Sequence, residues 1–385
     1  MEIRKAFKFR IYPNQTQQAE LARQFGCARF VYNHYRAARE GFYIDCGTGL
    51  NYADCNLDLT DLKKQPETIW LKEADSQVLQ EALRHLDTAY QNFFAGRAAY
   101  PNFHSRHDKQ SIHYPQRFKV SAKKIYLPKV GWVKCIFHRP TDGLMKNCTV
   151  TKTKSGRYFV SIQVEIEIPD PTPKIEAVGI DLGLTTFAAL STGEKIDKPK
   201  HLYKSQRRLK IRQRRLSRKV KGSNSRNAAR LPVAVLHERI ANQRKDFQHK
   251  LSRQLVDRFG SISFESLNVG GMVKNHHLAK SISDASWSQF VLFCEYKAAW
   301  VNGQVLRADR FFPSSKLCSD CGNKHKSLTL NIRQWVCLNC GVIHDRDTNA
   351  AINILNQTMA GVAKSYAGGD MSVLVKTSAP EAHPF

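Results

Sequence analysis

A chain of 385 residues is long enough for two or three compact units, each with its own core. Lys and Arg number 60 against 33 Asp and Glu, and a net charge of +27 repels itself unless a polyanion is bound, so nucleic acid is the natural partner. No run of about 18 apolar residues exists and Met1-Glu2-Ile3-Arg4-Lys5 lacks a signal-peptide core, which speaks against a membrane protein and for the cytoplasm.

From the N-terminus, Ile3, Phe7, Phe9 and Ile11 fall on one face of a two-residue repeat and Arg4, Ala6, Lys8 and Arg10 on the other, with Lys5 the exception; this predicts a half-buried strand. Pro13-Asn14 ends it. Asn14 with Gln17 can cap a helix whose apolar stripe is Leu21, Phe25, Phe30, Val31 and Tyr35. A second helix begins near Ser76, where Val78, Leu79, Ala82, Leu83, Leu86, Ala89, Tyr90, Phe93 and Phe94 recur at three-to-four spacing. Tyr100 to Tyr114 reads as an exposed basic loop. Strands follow from Phe118 to Ile168, with the cleanest alternation from Arg157 to Val164 after a Ser155-Gly156 turn. Pro169, Pro171 and Pro173 mark a linker and a domain boundary.

Beyond the linker, Glu176 to Leu190 reads as an apolar strand carrying Asp181, a glycine, and a second strand closed by Ser191-Thr192-Gly193. This is the opening hairpin expected of an RNase H-like nuclease, with the Asp on a central strand; a strand-end Asp capping a turn is the plainer alternative. Lys204 to Lys221 holds ten Lys or Arg residues and no acid, while Leu202, Leu209 and Leu216 recur every seven residues. One face of that helix packs, and the unneutralised remainder suits phosphate contacts. His237 to Leu251 forms another helix, and the β-prone run Ser261 to Phe264 delivers Glu265 at a strand end.

Cys318-Ser319-Asp320-Cys321 and Cys337-Leu338-Asn339-Cys340, with a 15-residue spacer, are a zinc-ribbon signal. Four thiolates close a tetrahedral site and leave no open position for chemistry, so this zinc is structural. The other six cysteines (Cys27, Cys46, Cys55, Cys135, Cys148 and Cys294) lack framework spacing, which fits a reducing compartment. His344-Asp345-Arg346-Asp347-Thr348-Asn349 then opens a helix with Ala350, Ile354 and Leu355 turned inward. Carboxylates from a strand, a strand end and a helix start suit two divalent ions about 4 Å apart, of which Mg2+ is the natural choice. Spacing along the chain does not by itself bring these acids together. Gln357 to Phe385 shows little periodicity and is expected to be mobile.

Gly179-Ile180-Asp181-Leu182-Gly183, Phe264-Glu265-Ser266-Leu267-Asn268, Ser314-Ser315-Lys316-Leu317-Cys318-Ser319-Asp320-Cys321-Gly322 and His344-Asp345-Arg346-Asp347-Thr348-Asn349-Ala350-Ala351 resemble the motifs of the TnpB family, transposon-encoded RNA-guided DNA nucleases related to the type V CRISPR effectors. Lys8-Phe9-Arg10-Ile11-Tyr12-Pro13, Arg29-Phe30-Val31-Tyr32-Asn33 and Asn242-Gln243-Arg244-Lys245-Asp246-Phe247 are similar too, so the resemblance runs to about Leu355. It implies an α/β multidomain protein. Residues 1–12 and 113–172 would form a wedge β-barrel, and 13–112 an inserted helical recognition lobe. Residues 173–355 would be an RNase H-like (RuvC) nuclease with a basic helical insertion at 195–258 and a zinc ribbon at 311–344, and 356–385 a mobile tail.

By the same resemblance Asp181, Glu265 and Asp347 would be the catalytic acids and Mg2+ ligands, with Cys318, Cys321, Cys337 and Cys340 holding Zn2+. Asp345 either supports the site or caps the helix; the resemblance favours Asp347, which stands two residues before Asn349. Arg4, Lys8, Arg10, Arg207, Arg208, Arg212, Arg214, Arg215, Arg218 and Lys219 are the expected nucleic-acid contacts. Ser76, Gln77 and Gln80 are candidates to read a short motif beside the DNA target, with helix capping or solvation as the alternative. The implied function is guide-RNA-directed, Mg2+-dependent cutting of double-stranded DNA by one site in a prokaryotic cell, near the nucleoid, leaving 5′-phosphate and 3′-hydroxyl ends. Two alternatives stand beside it. A non-cleaving RNA-guided repressor would be marked by loss of an acid, and an unguided transposase-accessory nuclease by the lack of a copurifying RNA.

Overall fold

The computed structural model describes residues 1–172, 174–329 and 331–367, and the chain divides into one unit spanning Met1–Glu167 and a second beginning at Ile168. In the first unit, β1 (Glu2–Tyr12) is followed by α1 (Gln15–Cys46), α2 (Tyr52–Leu62), a 3-10 turn at Pro66–Glu73 and α3 (Ser76–Phe94). The strands β2 (Gln110–Tyr114), β3 (Lys119–Ser121), β4 (Lys124–Leu127), β5 (Gly131–Ile136), β6 (Leu144–Lys152) and β7 (Tyr158–Glu167) complete it. The alternation read in the first eleven residues follows the pleat: Ile3, Phe9 and Ile11 are buried and Phe7 packs half-buried on the same core. β1 is therefore a central strand, antiparallel to both β7 and β5.

The sheet order is β2-β6-β7-β1-β5-β4-β3, a half-barrel open between β2 and β3 where the resemblance implied a β-barrel. Helices take the place of the missing strand pairing. Leu21 and Phe25 of α1 and Val78 of α3 enter the core of the sheet. The fully buried Gln24 accepts a 2.9 Å hydrogen bond from Tyr114 Oη on β2 and donates a 3.2 Å bond to the Pro128 carbonyl beyond β4. A side chain thus links the β2 edge to the turn between β4 and β5. Asn14 and Gln17 form the reciprocal cap read from the sequence, at 2.9 and 3.1 Å. A second core gathers Val31 and Tyr35 of α1, Leu59 of α2, and Leu79, Leu83 and Leu86 of α3. The stretch read as an exposed basic loop ends instead in β2, because Ile112 and Tyr114 are buried and pair with Val150 and Cys148 of β6.

The second unit holds β8 (Ala177–Leu182), β9 (Thr186–Leu190), β10 (Lys195–Asp197), α4 (His201–Ser217), α5 (Asn224–Arg258) and β11 (Ser261–Glu265). Then come α6 (Val269–Met272), α7 (Ala279–Ala285), α8 (Trp287–Ala299), β12 (Gln304–Ala308), a 3-10 turn at Ser314–Lys316, β13 (Gln334–Val336), β14 (Ile343–Asp345) and α9 (Arg346–Ala367). Its sheet is mixed, in the order β10-β9-β8-β11-β12: β8, β9 and β10 run antiparallel, and β11 and β12 extend β8 in parallel. Val178, Ile180, Ile262 and Phe264 are fully buried, as expected of strands covered on both faces.

Two helices differ from the sequence reading. The helix expected over 237–251 is the middle of the 35-residue α5, whose far end supplies Leu251, Leu255 and Val256 to the sheet core. Only its first half pairs with α4, through Leu209, Leu236 and Ile240. The basic hairpin is therefore continuous with the core rather than a separate insertion to 258. At the C-terminus, α9 continues to Ala367, so residues 356–367 are helical and not a tail, because buried Thr358 keeps the helix against Ser263 of β11. The remainder of the expected tail, 368–385, lies outside the described residues.

Candidate functional site

Asp181 sits near the C-terminal end of β8, the central strand of the mixed sheet. Glu265 is the last residue of β11. Phe264 stands opposite Ile180 in the parallel register, so Glu265 and Asp181 are the next residues on neighbouring strands, which lie about 4.8 Å apart. Asp347 lies in the first turn of α9, where the helix dipole favours an anion. Burial, then the negative charges of Glu265 and Asp347, push the Asp181 carboxyl up to about 8, against the opposing pull of Arg346 and Arg333. The three acids thus share one electrostatic neighbourhood. Among the described residues their oxygens are not all drawn within 4.8 Å of one another. Asp347 Oδ1 accepts a 3.2 Å bond from Arg333 Nη1, and Glu265 Oε1 accepts a 2.6 Å bond from Ser314 Oγ.

Asp345 has a different part. Its Oδ1 accepts from the Thr348 amide at 3.1 Å, which caps α9, and its Oδ2 pairs with Lys195 Nζ at 2.7 Å. Both bonds favour the ionised form and hold its carboxyl below the usual range despite partial burial.

The four ribbon cysteines come together as their spacing requires. The four sulfurs lie within 4.8 Å of one another, with Cys318 Sγ to Cys340 Sγ at 3.6 Å and Cys321 Sγ to Cys337 Sγ at 3.5 Å. Sulfurs placed about 2.3 Å from a central zinc in a tetrahedron stand about 3.8 Å apart, so the cluster fits that ion. Each pair is folded the same way. The Cys318 amide donates to the Asn323 carbonyl and the Cys337 amide to Val342, with Gly322 and Gly341 at φ of 73° and 75° making the turns. His344 Nε2 lies 3.0 Å from Cys318 Sγ, a neighbour that the CxxC pattern did not announce.

Residues with no role in the sequence reading tie the ribbon to the acids. Asn349 Oδ1 accepts from the Ser319 amide at 2.9 Å, and its Nδ2 donates to the Leu317 carbonyl at 2.7 Å. One helical turn on, Asn353 Nδ2 donates to the carbonyls of Ser314 and Leu317, each at 2.8 Å. The available signal was two asparagines at i and i+4 on the inward side of a helix, both of which prove buried.

The basic candidates divide. Arg207, Arg208, Arg214, Arg215, Arg218 and Lys219 are exposed at α4 and just beyond it, and none forms an ion pair among the described residues. Arg212 is half-buried and donates to the Pro232 carbonyl at 2.8 Å. On β1, Arg4 pairs with Glu165 at 2.9 Å, Lys8 lies 4.6 Å over the Phe159 ring, and Arg10 stacks at 4.9 Å on Tyr12. At α3 the cap is Asp75, whose Oδ1 accepts from the Gln77 amide at 2.9 Å, and not Ser76, which is exposed. Gln77 Oε1 accepts from Arg117 Nε at 3.2 Å, and Gln80 is half-buried. No helix among the described residues is long and apolar enough to cross a membrane.

Comparison with known proteins completes the description. A family model described as "Probable transposase" matches residues 161–276, a "Cas12f1-like, TNB domain" matches 287–354, and a "Helix-turn-helix domain" matches 1–43, where the structure has one strand and one long helix. A "Putative RNA-guided DNA endonuclease" of Streptomyces pristinaespiralis is 42% identical over 375 residues, covering 95% of this chain and 92% of its own. The "Putative RNA-guided DNA endonuclease InsQ" of Escherichia coli (strain K12) is 34% identical over 373 residues, covering 92% of each. A solved chain from a Cas12f1-sgRNA-target DNA complex shares the fold, with a TM-score of 0.60 at 12% identity over 92% of this chain and 99% of that one. The chain belongs to the TnpB (IS605 OrfB) family.

Proposed function

We propose that this chain is a Mg2+-dependent, RNA-guided endonuclease that cuts double-stranded DNA beside a short adjacent motif, using one RuvC-like site. The observation that carries the reading is the placing of Asp181 and Glu265 at the ends of adjacent parallel strands, with Asp347 in the first turn of the helix that packs on the first of them. The chain's 42% identity to the Streptomyces relative, whose name says RNA-guided DNA endonuclease, supports the guided-cutting part of it. An acid raised by burial and by two neighbouring carboxylates is a site with surplus negative charge, and the donor set, carboxylate oxygen, suits Mg2+. Bound divalent ions supply water activation and stabilisation of the departing oxygen. Asp181, on the central strand, would fix the position of the site, with Glu265 and Asp347 completing it. The exposed arginines of α4 would hold phosphates of the guide or its heteroduplex, leaving sequence readout to base pairing.

The four-cysteine cluster would hold structural zinc. The half-barrel would serve as the wedge and the helices of residues 15–94 as the recognition lobe, with guide RNA and target DNA as partners. The test is to purify the protein from cells carrying its flanking DNA, sequence the RNA that accompanies it, and assay cleavage of matching DNA with and without Mg2+. A discrete RNA whose variable end directs Mg2+-dependent cutting, abolished by Asp181→Ala while RNA binding persists, is the expected result. Guide-independent cutting, or an Asp181→Ala variant that still cuts, would overturn the reading.

A further inference from the structure

Glu265 ends its strand with a flexible side chain beside another carboxylate that repels it. Left to itself it would swing toward solvent, since fixing a Glu side chain costs rotamer entropy. The donor that meets it is the hydroxyl of Ser314, 2.6 Å from Oε1 and only 4% exposed. An ionised carboxylate can only accept, so Ser314 must donate, and a hydrogen bond to a charged acceptor at this length is among the stronger ones a protein makes. It occupies one lone pair of Oε1, and among the described residues no hydrogen bond is made to Oε2.

Ser314 is itself held. It opens the 3-10 turn Ser314–Lys316, and its carbonyl accepts from Asn353 Nδ2 of α9 at 2.8 Å. The same amide group reaches the Leu317 carbonyl, one residue before the ribbon ligand Cys318, and Asn353 is buried. The ribbon's first knuckle, the helix that carries Asp347, and the carboxylate of Glu265 therefore form one bonded series across the second unit.

We propose that Ser314 is a positioning residue that aims the Glu265 carboxylate at the divalent cation shared with Asp181 and Asp347, and that Asn353 and the zinc ribbon hold Ser314 for that purpose. The inference rests on the reading of Glu265 as a cation ligand. Its consequence is that the structural metal site and the acidic site are coupled through one hydroxyl.

The experiment is titration of the full-length protein with Mn2+, followed by electron paramagnetic resonance, in wild type, Ser314→Ala, Ser314→Thr and Glu265→Ala, with zinc content and thermal melting measured in parallel. Ser314→Ala should bind Mn2+ roughly tenfold more weakly with its zinc retained, the usual scale for losing a bond that orients a metal ligand, and Ser314→Thr should recover the wild-type affinity. Equal affinity in wild type and Ser314→Ala would overturn the proposal while leaving the metal site intact. Should Ser314→Ala not fold, the shape-matched pair Ser314→Thr and Ser314→Val decides the matter, and equal affinity in those two overturns it. Wild-type protein whose Mn2+ binding is unaffected by Glu265→Ala would instead remove Glu265 from the cation site, and the proposal with it.

Discussion

Gly179 of β8 lies directly beneath Ala351 of α9, so near that a Cβ on Gly179 would overlap the Ala351 carbonyl oxygen and come within 2.9 Å of Leu355 Cβ. The glycine lets the helix that carries Asp347 settle on the strand that carries Asp181. Gly179→Ala should therefore lift α9 from the sheet, costing on the order of 1–3 kcal/mol as overpacking does, and should reduce DNA cleavage more than RNA binding. Denaturant unfolding and a cleavage assay check this together. A variant with unchanged midpoint would mean that α9 does not seat here.

Of the second unit's strands, β8 and β11 could be read from sequence because buried parallel strands are apolar runs, in which a single acid such as Asp181 or Glu265 stands out, whereas β12 carries no such mark. The start of α9 was legible for a similar reason, since Asp345, Asp347 and the inward Ala350 and Ile354 make a recognisable helix opening. Pairing at a distance was not. Nothing local says that β2 and β3 leave the first sheet open, or that Gln24 bonds across 90 residues to Tyr114 on its β2 edge. The Ser314 to Glu265 bond joins residues 49 apart and has no sequence period to betray it. The length of α5 was hidden by Pro232, which ordinarily ends a helix but here lies inside one.

The exposed arginines of α4 and its C-terminal end have no acidic partners among the described residues, so their charge is available to phosphate. Arg214→Glu with Arg215→Glu should weaken binding of the copurified RNA by tenfold or more, and should flatten the plot of log affinity against log salt by about 2, at slightly under one per lost contact. Filter binding across a KCl series measures both quantities. Weaker binding with an unchanged slope would indicate a folding defect instead of lost phosphate contacts.

The ribbon's own core consists of Cys318, Leu328, Trp335 and Cys337, too little apolar surface to hold it without a metal. One equivalent of zinc should copurify. Cys340→Ser should lower zinc content, change the emission of the buried Trp335, and loosen the segment that Asn349 and Asn353 bind. A zinc-free protein with native Trp emission and full activity would sink the structural assignment.

His113 on β2 donates to or accepts from Thr149 Oγ1 at 3.0 Å, with Glu81 at 3.8 Å and His85 nearby. Burial, reinforced by the positive charge His85 acquires, pushes its imidazole down to about 4. A histidine that titrates near 6.5 when unfolded and lower when folded contributes stability above pH 6.5, and loses it as pH falls toward 4. The wild type should thus lose roughly 2 kcal/mol over that interval relative to His113→Asn, which has no charge to gain. Melting curves of the two from pH 7 to pH 4 measure this, and a gap that stays constant would contradict it, with Glu81 then neutralising the buried cation.

Asp181 should act in the opposite sense. Its carboxyl is raised to about 8 in the folded protein by burial, Glu265 and Asp347, against about 4 in an unfolded chain. A raised acid contributes stability that is full below the unfolded value and is lost as pH rises through the folded one, so Mg2+-free protein should grow less stable between pH 4 and pH 8. Asp181→Asn removes the ionisation while keeping the shape. It should melt with the wild type at pH 4 and above it at pH 8, by a margin on the order of 1–2 kcal/mol once solvent screening is allowed for. Adding Mg2+ should then stabilise the wild type and leave the Asn variant where it was, since a ligand that binds only the folded state raises its stability in proportion to occupancy. A calorimetric series in pH and Mg2+ separates the two effects. If the variant responds to Mg2+ as the wild type does, Asp181 is not part of a cation site, however its neighbours shift its titration.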